Sequence, residues 1–385
     1  MLSAIKSSVT AELDAFFATL TSSNAAQRGV SAQAFSQARR GFSATLFADL
    51  NRHLIDRVSV HIDSHRWRGL RLVAADASRL LVSTRRNADL TPNHYAFALF
   101  LPGSEITLHA SLHSANGCER QMLVEALDHL NDDDLLLLDR GYPSALMAAI
   151  LDQRKIPFCM RVDKMATGFK AVRAFLMSNA QSAIITLPAP AKSDAQTYEI
   201  QPLETRVRLV RNHTPTGKIG VLMTNLLDSK AHPAAEFGAL YHKRWRIEEA
   251  FKRIKHRLRL EAPSGLTYLA FQQDFGAKIV ADNLSTLLAD LNDPRPVNAP
   301  ADVPETGEKI VQKPSSSRAN RTYALNAFKS VIVSCLLKLR NAAKALKAAL
   351  KAVALTRCRI KPDRHYPRLK RSKPHLFLGY KVGLS

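Results

Sequence analysis

The sequence predicts an α/β protein: a mixed β-sheet with helices on its faces, preceded by a helical N-terminal region, interrupted by a β-rich insertion and followed by a basic, mostly helical C-terminal region. Three observations predict it. Apolar residues recur at helical spacing near the N-terminus, three consecutive strand-like runs occupy residues 70–113, and helical and strand patterns alternate from 119 to 162. Hairpin-linked strands followed by alternating helix and strand build a sheet that packs helices against itself.

Residues 1–66 read as short helices. Val9, Leu13, Phe16, Phe17 and Leu20 share one helical face, and Ala32, Phe35, Ala38, Phe42 and Leu46 a second, with a polar break at 22–29 between them. A small helical module carrying Arg28, Arg39 and Arg40 suits either a DNA-reading head or a cap on the next domain. From Leu70 the period becomes strand-like. Residues 70–82 form an apolar run with Asp76 near its middle, followed by strands at 95–101 and 106–113 around a Pro102-Gly103 turn. A helix is expected over 119–130, then a short buried strand from Asp134 that runs into Asp139. A helix from Pro143 to Arg154 and a strand over 157–162 complete the first part of the core, 67–163.

Residues 164–225 break that rhythm. Four β-like runs, 183–187, 198–200, 205–210 and 219–224, are separated by Pro188, Pro190 and a Thr214–Gly217 turn, the pattern of a β-rich insertion. The core resumes at 226–290, with one helix beginning near Ala234 and carrying Glu248 and another over 268–288. A Pro- and Ser-rich linker is expected at 291–320, and the basic C-terminal region, suited to DNA binding or dimerisation, at 321–385.

Composition narrows the function. With 385 residues, 46% hydrophobic and 23% charged, the chain is globular and long enough for two or three domains. Its formal net charge of +22 favours a polyanionic partner, nucleic acid before an acidic membrane surface. Residues 321–385 hold sixteen Lys or Arg against one acid, Asp363, a net of +15. No run of about 18 apolar residues exists to span a bilayer, and the opening Met-Leu-Ser-Ala-Ile-Lys leads directly into an amphipathic pattern, so neither a membrane segment nor a signal peptide is expected. Cys118, Cys159, Cys335 and Cys358 form no C-x-x-C pair, which argues against a zinc site or a disulfide framework and suits reduced thiols in a cytosol.

Tyr241, Arg244, Glu248 and Lys255 fall within an arc of about 60° on a helical wheel, beside the apolar arc of Leu240, Ile247, Ala250, Phe251, Ile254 and Leu258. The strip therefore sits where core meets solvent. A carboxylate flanked by a phenol, a guanidinium and an ammonium can hold a metal ion while the cations and hydroxyl grip phosphate oxygens. An ordinary surface helix with Glu–Lys pairs would carry a similar strip. Asp76 within a strand, Asp139 at the end of a second and Glu248 on a later helix are together the constellation of a two-metal phosphoryl-transfer site, in which carboxylates hold two divalent ions that stabilise the attacking and leaving oxygens. Each also admits a structural role, Asp139 pairing with Arg140 or capping a turn and Asp76 bonding Ser78, but a carboxylate in an apolar strand is costly to bury unpaired.

The chain resembles DDE transposases of bacterial insertion sequences, of the insertion-sequence-four type. Tyr241, Arg244, Glu248 and Lys255 match the signature Y-x2-R-x3-E-x6-K in an Arg-Trp-Arg-Ile-Glu-Glu context. The likeness extends to Ala75-Asp76-Ala77-Ser78, where relatives often have Gly in place of Ala77, and to Leu138-Asp139-Arg140-Gly141-Tyr142, Met223-Thr-Asn-Leu226 and Gln272-Gln-Asp-Phe275. This resemblance implies an RNase H-like core with an insertion between the second Asp and the Glu, and Mg²⁺ dependence, two ions on Asp76, Asp139 and Glu248 with Mn²⁺ as a substitute. It further implies phosphate contacts from Tyr241, Arg244 and Lys255, and cut-and-paste cleavage and strand transfer at the terminal inverted repeats of double-stranded DNA. A homodimeric synaptic complex in a bacterial cytoplasm, associated with the nucleoid, belongs to the same expectation. A transposition repressor without catalysis and a structure-specific nuclease are the alternatives. One departure is visible: where relatives carry a base-holding Trp, this chain has Gly220, leaving Phe169, Phe175 or Tyr198 as candidate substitutes.

Overall fold

A computed structural model of the chain describes residues 8–21, 29–62, 66–82, 93–162, 170–213, 219–265, 267–291 and 317–359. The elements begin with helices α1 (Val9–Thr21), α2 (Ala32–Ala38) and α3 (Leu46–Ile62), followed by strands β1 (Arg66–Trp67), β2 (Leu70–Leu81), β3 (Asn93–Leu101) and β4 (Ile106–Ser114). Then come α4 (Glu119–Ala126), β5 (Asp134–Leu138), α5 (Ala145–Gln153), β6 (Phe158–Val162), α6 (Lys170–Met177), β7 (Ser182–Leu187), α7 (Lys192–Thr197), β8 (Thr205–His213) and β9 (Ile219–Thr224). The chain continues through α8 (Phe237–His242), α9 (Trp245–Arg257), α10 (Tyr268–Asp290), β10 (Ser317–Ala319), α11 (Arg321–Leu336), α12 (Ala342–Leu355) and β11 (Arg357–Arg359). The described residues fall into two compact units, one drawn from Met1–Asn51, Leu80–Asn93 and Lys252–Ser385, the other from Arg52–Arg79 and His94–Phe251.

The second unit is organised by a mixed sheet with strands in the order β4-β3-β2-β5-β6-β9-β8-β7, and β1 paired to β2 beside that path. β2, β5 and β6 run parallel, while β3/β4, β6/β9, β8/β9 and β7/β8 are antiparallel. A hairpin joined to parallel strands is the mixed-sheet arrangement expected of an RNase H-like core. The centre is dry. Val73, Ala74, Ala75, all of Leu135–Leu138, Phe158–Met160 and Val221–Met223 are fully buried, as runs covered on both faces must be. Register between β2 and β5 is locked at its start, where Arg71 lies opposite Asp134 and donates to both its carboxylate oxygens, Nε at 2.5 Å and Nη2 at 2.8 Å. Asn225, after β9, accepts from the Phe158 N–H at 3.0 Å and donates to Ile156 O at 3.1 Å, fastening β9 to the entry of β6.

Residues 164–225 differ in part from expectation. Their strands β7, β8 and β9 build no separate sheet; they extend the core sheet antiparallel from β6. The run expected as a strand at 198–200 is instead the turn that follows α7, because Tyr198 N–H bonds Asp194 O, Ile200 N–H bonds Ala195 O and Glu199 turns the chain with φ 53°.

The first unit is helical. α10 is buried along most of its length, and the cores of α10, α11 and α12 meet at Leu288, Ala289, Ala319, Ala324 and Val353. Polar groups within it are satisfied internally: Arg253 bonds both oxygens of Asp282 at 2.7 Å, and Lys278 donates to Arg259 O at 3.0 Å. Arg39, in the module that suited either a DNA-reading head or a cap, is only 4% exposed, bonding Gln273 at 2.9 Å, Asp274 at 3.0 Å, Ser264 at 2.6 Å and Ala270 O at 2.8 Å. It is a core ion pair, because burial makes a guanidinium bind the nearest carboxylate and carbonyl. Arg28 and residues 292–316 of the linker expected at 291–320 lie outside the described residues, and near the end of that stretch Ser317–Ala319 forms β10. Among the described residues no helix is long and apolar enough to cross a membrane.

Candidate active site

Asp76 and Asp139 come together through strand register. β2 pairs in parallel with β5 as far as Ala74 opposite Leu137, so two further residues carry Asp76 level with Asp139 on the neighbouring strand. Equal steps along parallel strands put both side chains on the same face. The Ala77 N–H donates to Asp76 Oδ1 at 3.1 Å, and the Gly141 N–H to Asp139 Oδ1 at 2.7 Å. These bonds aim the carboxylates. Of the structural roles weighed for these acids, the turn cap is present, since the Gly141 N–H bond to Asp139 Oδ1 closes the turn after β5, whereas a bond from Asp76 to Ser78 is not among those described.

The single helix expected to carry Tyr241, Arg244, Glu248 and Lys255 is two helices. Tyr241 lies in the last turn of α8, Glu248 and Lys255 lie on α9, and Arg244 occupies the turn between. Across that turn the backbone bonds tighten to i→i+3: Lys243 N–H to Leu240 O, Arg244 N–H to Tyr241 O and Arg246 N–H to Lys243 O, each at 3.1 Å. A 3₁₀ turn still advances helically, so Tyr241, Arg244 and Glu248 remain neighbours while Arg244 is drawn inward to 5% exposure. Its guanidinium lies 5.8 Å from the Tyr241 ring and 5.7 Å from the Trp245 ring, and Nη2 donates to Glu248 Oε1 at 2.8 Å. Lys255, seven residues along α9 from Glu248, has its ammonium 3.9 Å from Glu261 Oε1.

Electrostatics tie these groups into one site. Burial pushes the Asp76 carboxyl up to about 7; Arg244 opposes the shift, and the like charges of Asp139, Glu248 and Glu119 add to it. Burial would lower Arg244, but Tyr241, the bond to Glu248 and the charge of Asp76 hold it above its ordinary value. Tyr241 is raised chiefly by burial. Every group of the expected set but Lys255 therefore shares one electrostatic neighbourhood. All three acids offer oxygen, the donor that hard divalent cations take, in surroundings where negative charge is crowded and partly desolvated. By donor type and charge the site fits such a cation. Among the described residues, however, no three His, Cys, Asp or Glu side chains already enclose a single point, and Glu248 is held instead by Arg244.

Two further residues belong to this neighbourhood. Glu119, in the first turn of α4, is raised by burial and by Asp139. Tyr142 is fully buried, its hydroxyl has no hydrogen-bond partner among the described residues, and it is raised by burial and then by Asp76, Glu119 and Asp139. Tyr142 stood in the Asp-Arg-Gly-Tyr motif, but Glu119 had no sequence signal, being one more acid at a helix N-terminus. Of the residues considered in place of a base-holding Trp, Phe175 is buried beneath Arg211, whose guanidinium sits 5.4 Å from its ring. Tyr198 donates its hydroxyl to Gln121 Oε1 at 3.0 Å, and Phe169 lies outside the described residues.

Comparison with known families places the sequence. The transposase DDE domain family matches residues 55–284, more than half of the chain. The chain belongs to the DDE transposases. All of Asp76, Asp139, Tyr241, Arg244, Glu248 and Lys255 lie inside the matched residues. Among solved structures, a piggyBac transposase synaptic complex with hairpin DNA aligns with 73% of this transposase at 9% identity and a TM-score of 0.36; the alignment spans 57% of that protein's chain. No curated protein matches the sequence. DDE transposases as a family use divalent metal ions.

Proposed function

We propose that this chain is a transposase of the insertion-sequence-four type that binds the terminal inverted repeats of its element as a homodimer and performs Mg²⁺-dependent cut-and-paste cleavage and strand transfer. One observation carries the reading: Asp76, half-buried on a central strand and level with Asp139, is raised by burial and by the like charges of Asp139 and Glu248, with Arg244 opposing. An acidic cluster of this kind is unfavourable until a cation or a protonated group joins it. In the proposal Asp76, Asp139 and Glu248 hold two Mg²⁺, or Mn²⁺ in their place. The ions would supply an activated water and neutralise the charge on the leaving oxygen.

The chain's own groups orient the substrate. Arg244 fixes the tilt of Glu248 through Oε1, and its buried Nε, which has no hydrogen-bond partner among the described residues, is a donor for a phosphate oxygen. Tyr241 supports that guanidinium from its ring face, and Lys255 contributes a second phosphate contact from α9. The Gly141 N–H keeps Asp139 aimed across the strand end.

The test uses full-length protein, Mg²⁺ and a duplex carrying the inverted repeats that flank the gene. Asp139→Ala should abolish strand cleavage while leaving binding to the same duplex measurable by gel shift. Cleavage at the wild-type rate by that variant would overturn the site. Joining of the freed 3′ end to a second duplex separates a transposase from a nuclease.

A further inference from the structure

We propose that Glu119 is a fourth cation-holding carboxylate of the site, beside Asp76, Asp139 and Glu248; the inference rests on the cation site proposed above. Glu119 begins α4, and its neighbour Arg120 is committed elsewhere, donating to Gly141 O at 3.0 Å and Pro143 O at 3.2 Å. Among the described residues the Glu119 carboxylate has no hydrogen-bond or ion-pair partner. A partly desolvated acid left unpaired beside another acid is costly, and a cation is what relieves it.

Gly141 locates the meeting point. A methyl group placed on its Cα would sit 3.1 Å from Asp139 Oδ1 and 3.5 Å from Glu119 Oε2, so both carboxylates reach to within 3.5 Å of one place. Glycine there keeps the space between them open. Tyr142 is an independent indication. Its hydroxyl is fully buried and has no partner among the described residues, and the charges around it are the acids Asp76, Glu119 and Asp139 with Arg244 opposing them. A buried hydroxyl without a partner needs an acceptor or a bound water, and the hydration shell of a cation held by those acids provides one. A purely structural role for Glu119, favouring the positive end of α4, would not need its carboxylate to reach the place beside Gly141 that Asp139 Oδ1 also reaches.

The experiment is a Mn²⁺ titration of the full-length protein without DNA, followed by electron paramagnetic resonance of free Mn²⁺, on wild type, Glu119→Gln, Glu119→Asp and Asp139→Asn. Thermal unfolding of each with and without Mn²⁺ checks folding. Glu119→Gln should weaken Mn²⁺ binding by about tenfold or more and reduce the thermal shift accordingly. If Asp139→Asn loses affinity and Glu119→Gln keeps it, Glu119 is structural and the inference falls while the cation site stands. Unchanged binding in all variants would instead overturn the cation site itself. Should Glu119→Gln not fold, Glu119→Asp, one methylene shorter, decides: weakened binding is expected, and wild-type affinity overturns the inference.

Discussion

Asp76 shows how much one placement determines. Its neighbours Ala74 and Ala75 are fully buried, and its own carboxyl is pushed up to about 7 from an ordinary 3.8, first by burial and then by the acids around it against Arg244. Between those two values the folded chain binds more protons at Asp76 than the unfolded chain does. Stability therefore falls as pH rises from about 4 to about 7 and levels off above, by at most about 4 kcal/mol from this group. In metal-free protein, Asp76→Asn should remove that part of the slope and be more stable than wild type at pH 8. Chemical denaturation at pH 5 and pH 8 measures it. A wild-type slope of unchanged size in the variant would assign the pH dependence to other groups.

At the scale of elements, the geometry of the candidate site is set remotely. The pair Arg71–Asp134 fixes the pairing of β2 with β5 five residues before Asp76 and Asp139 arrive at their common level. Both partners are almost completely buried, so removing one leaves an uncompensated charge in the sheet. Asp134→Ala should cost about 3–5 kcal/mol, and cleavage should fall even where the variant remains folded, because β5 then lacks the bond that holds its register. Equilibrium urea unfolding reads the stability. The turn between α8 and α9 acts similarly on the third acid: its i→i+3 bonds turn Arg244 inward, and Arg244 then holds Glu248.

At the scale of the whole molecule, positive charge and helical packing are interleaved in the first unit. α11 and α12 are basic, yet Ala324 and Val353 are fully buried in the core they share with α10. Removing residues 321–385 therefore takes away core as well as charge, and that truncation should fail to unfold cooperatively. Residues 360–385 carry seven Lys or Arg and one Asp outside the described structure. A chain ending at 359 should keep its thermal transition while its DNA affinity becomes less salt-dependent, the log–log slope falling by up to about 6. Discrimination between end and random duplex should change less. Fluorescence anisotropy over a salt series tests this, and an unchanged slope would place the DNA-neutralising charge elsewhere.

Strand and helix identity, the three acids and the cationic residues near Glu248 were open to sequence reasoning, because apolar periodicity and residue type are local properties. Residues 70–82, 106–113, 157–162 and 268–288 correspond to β2, β4, β6 and α10 within a few residues. What tertiary structure decided is non-local. Arg39 and Arg40 are adjacent and chemically identical, but only Arg39 meets Gln273 and Asp274, more than 230 positions away, and becomes core. β7–β9 could have closed on themselves; pairing of β9 with β6 made them part of the central sheet. Glu119 acquires meaning only beside Asp139. Sequence determined which side chains can bear charge and which must be buried, whereas the field each charge experiences, which sets its proton affinity and its cation, depends on neighbours that only folding brings within a few ångströms.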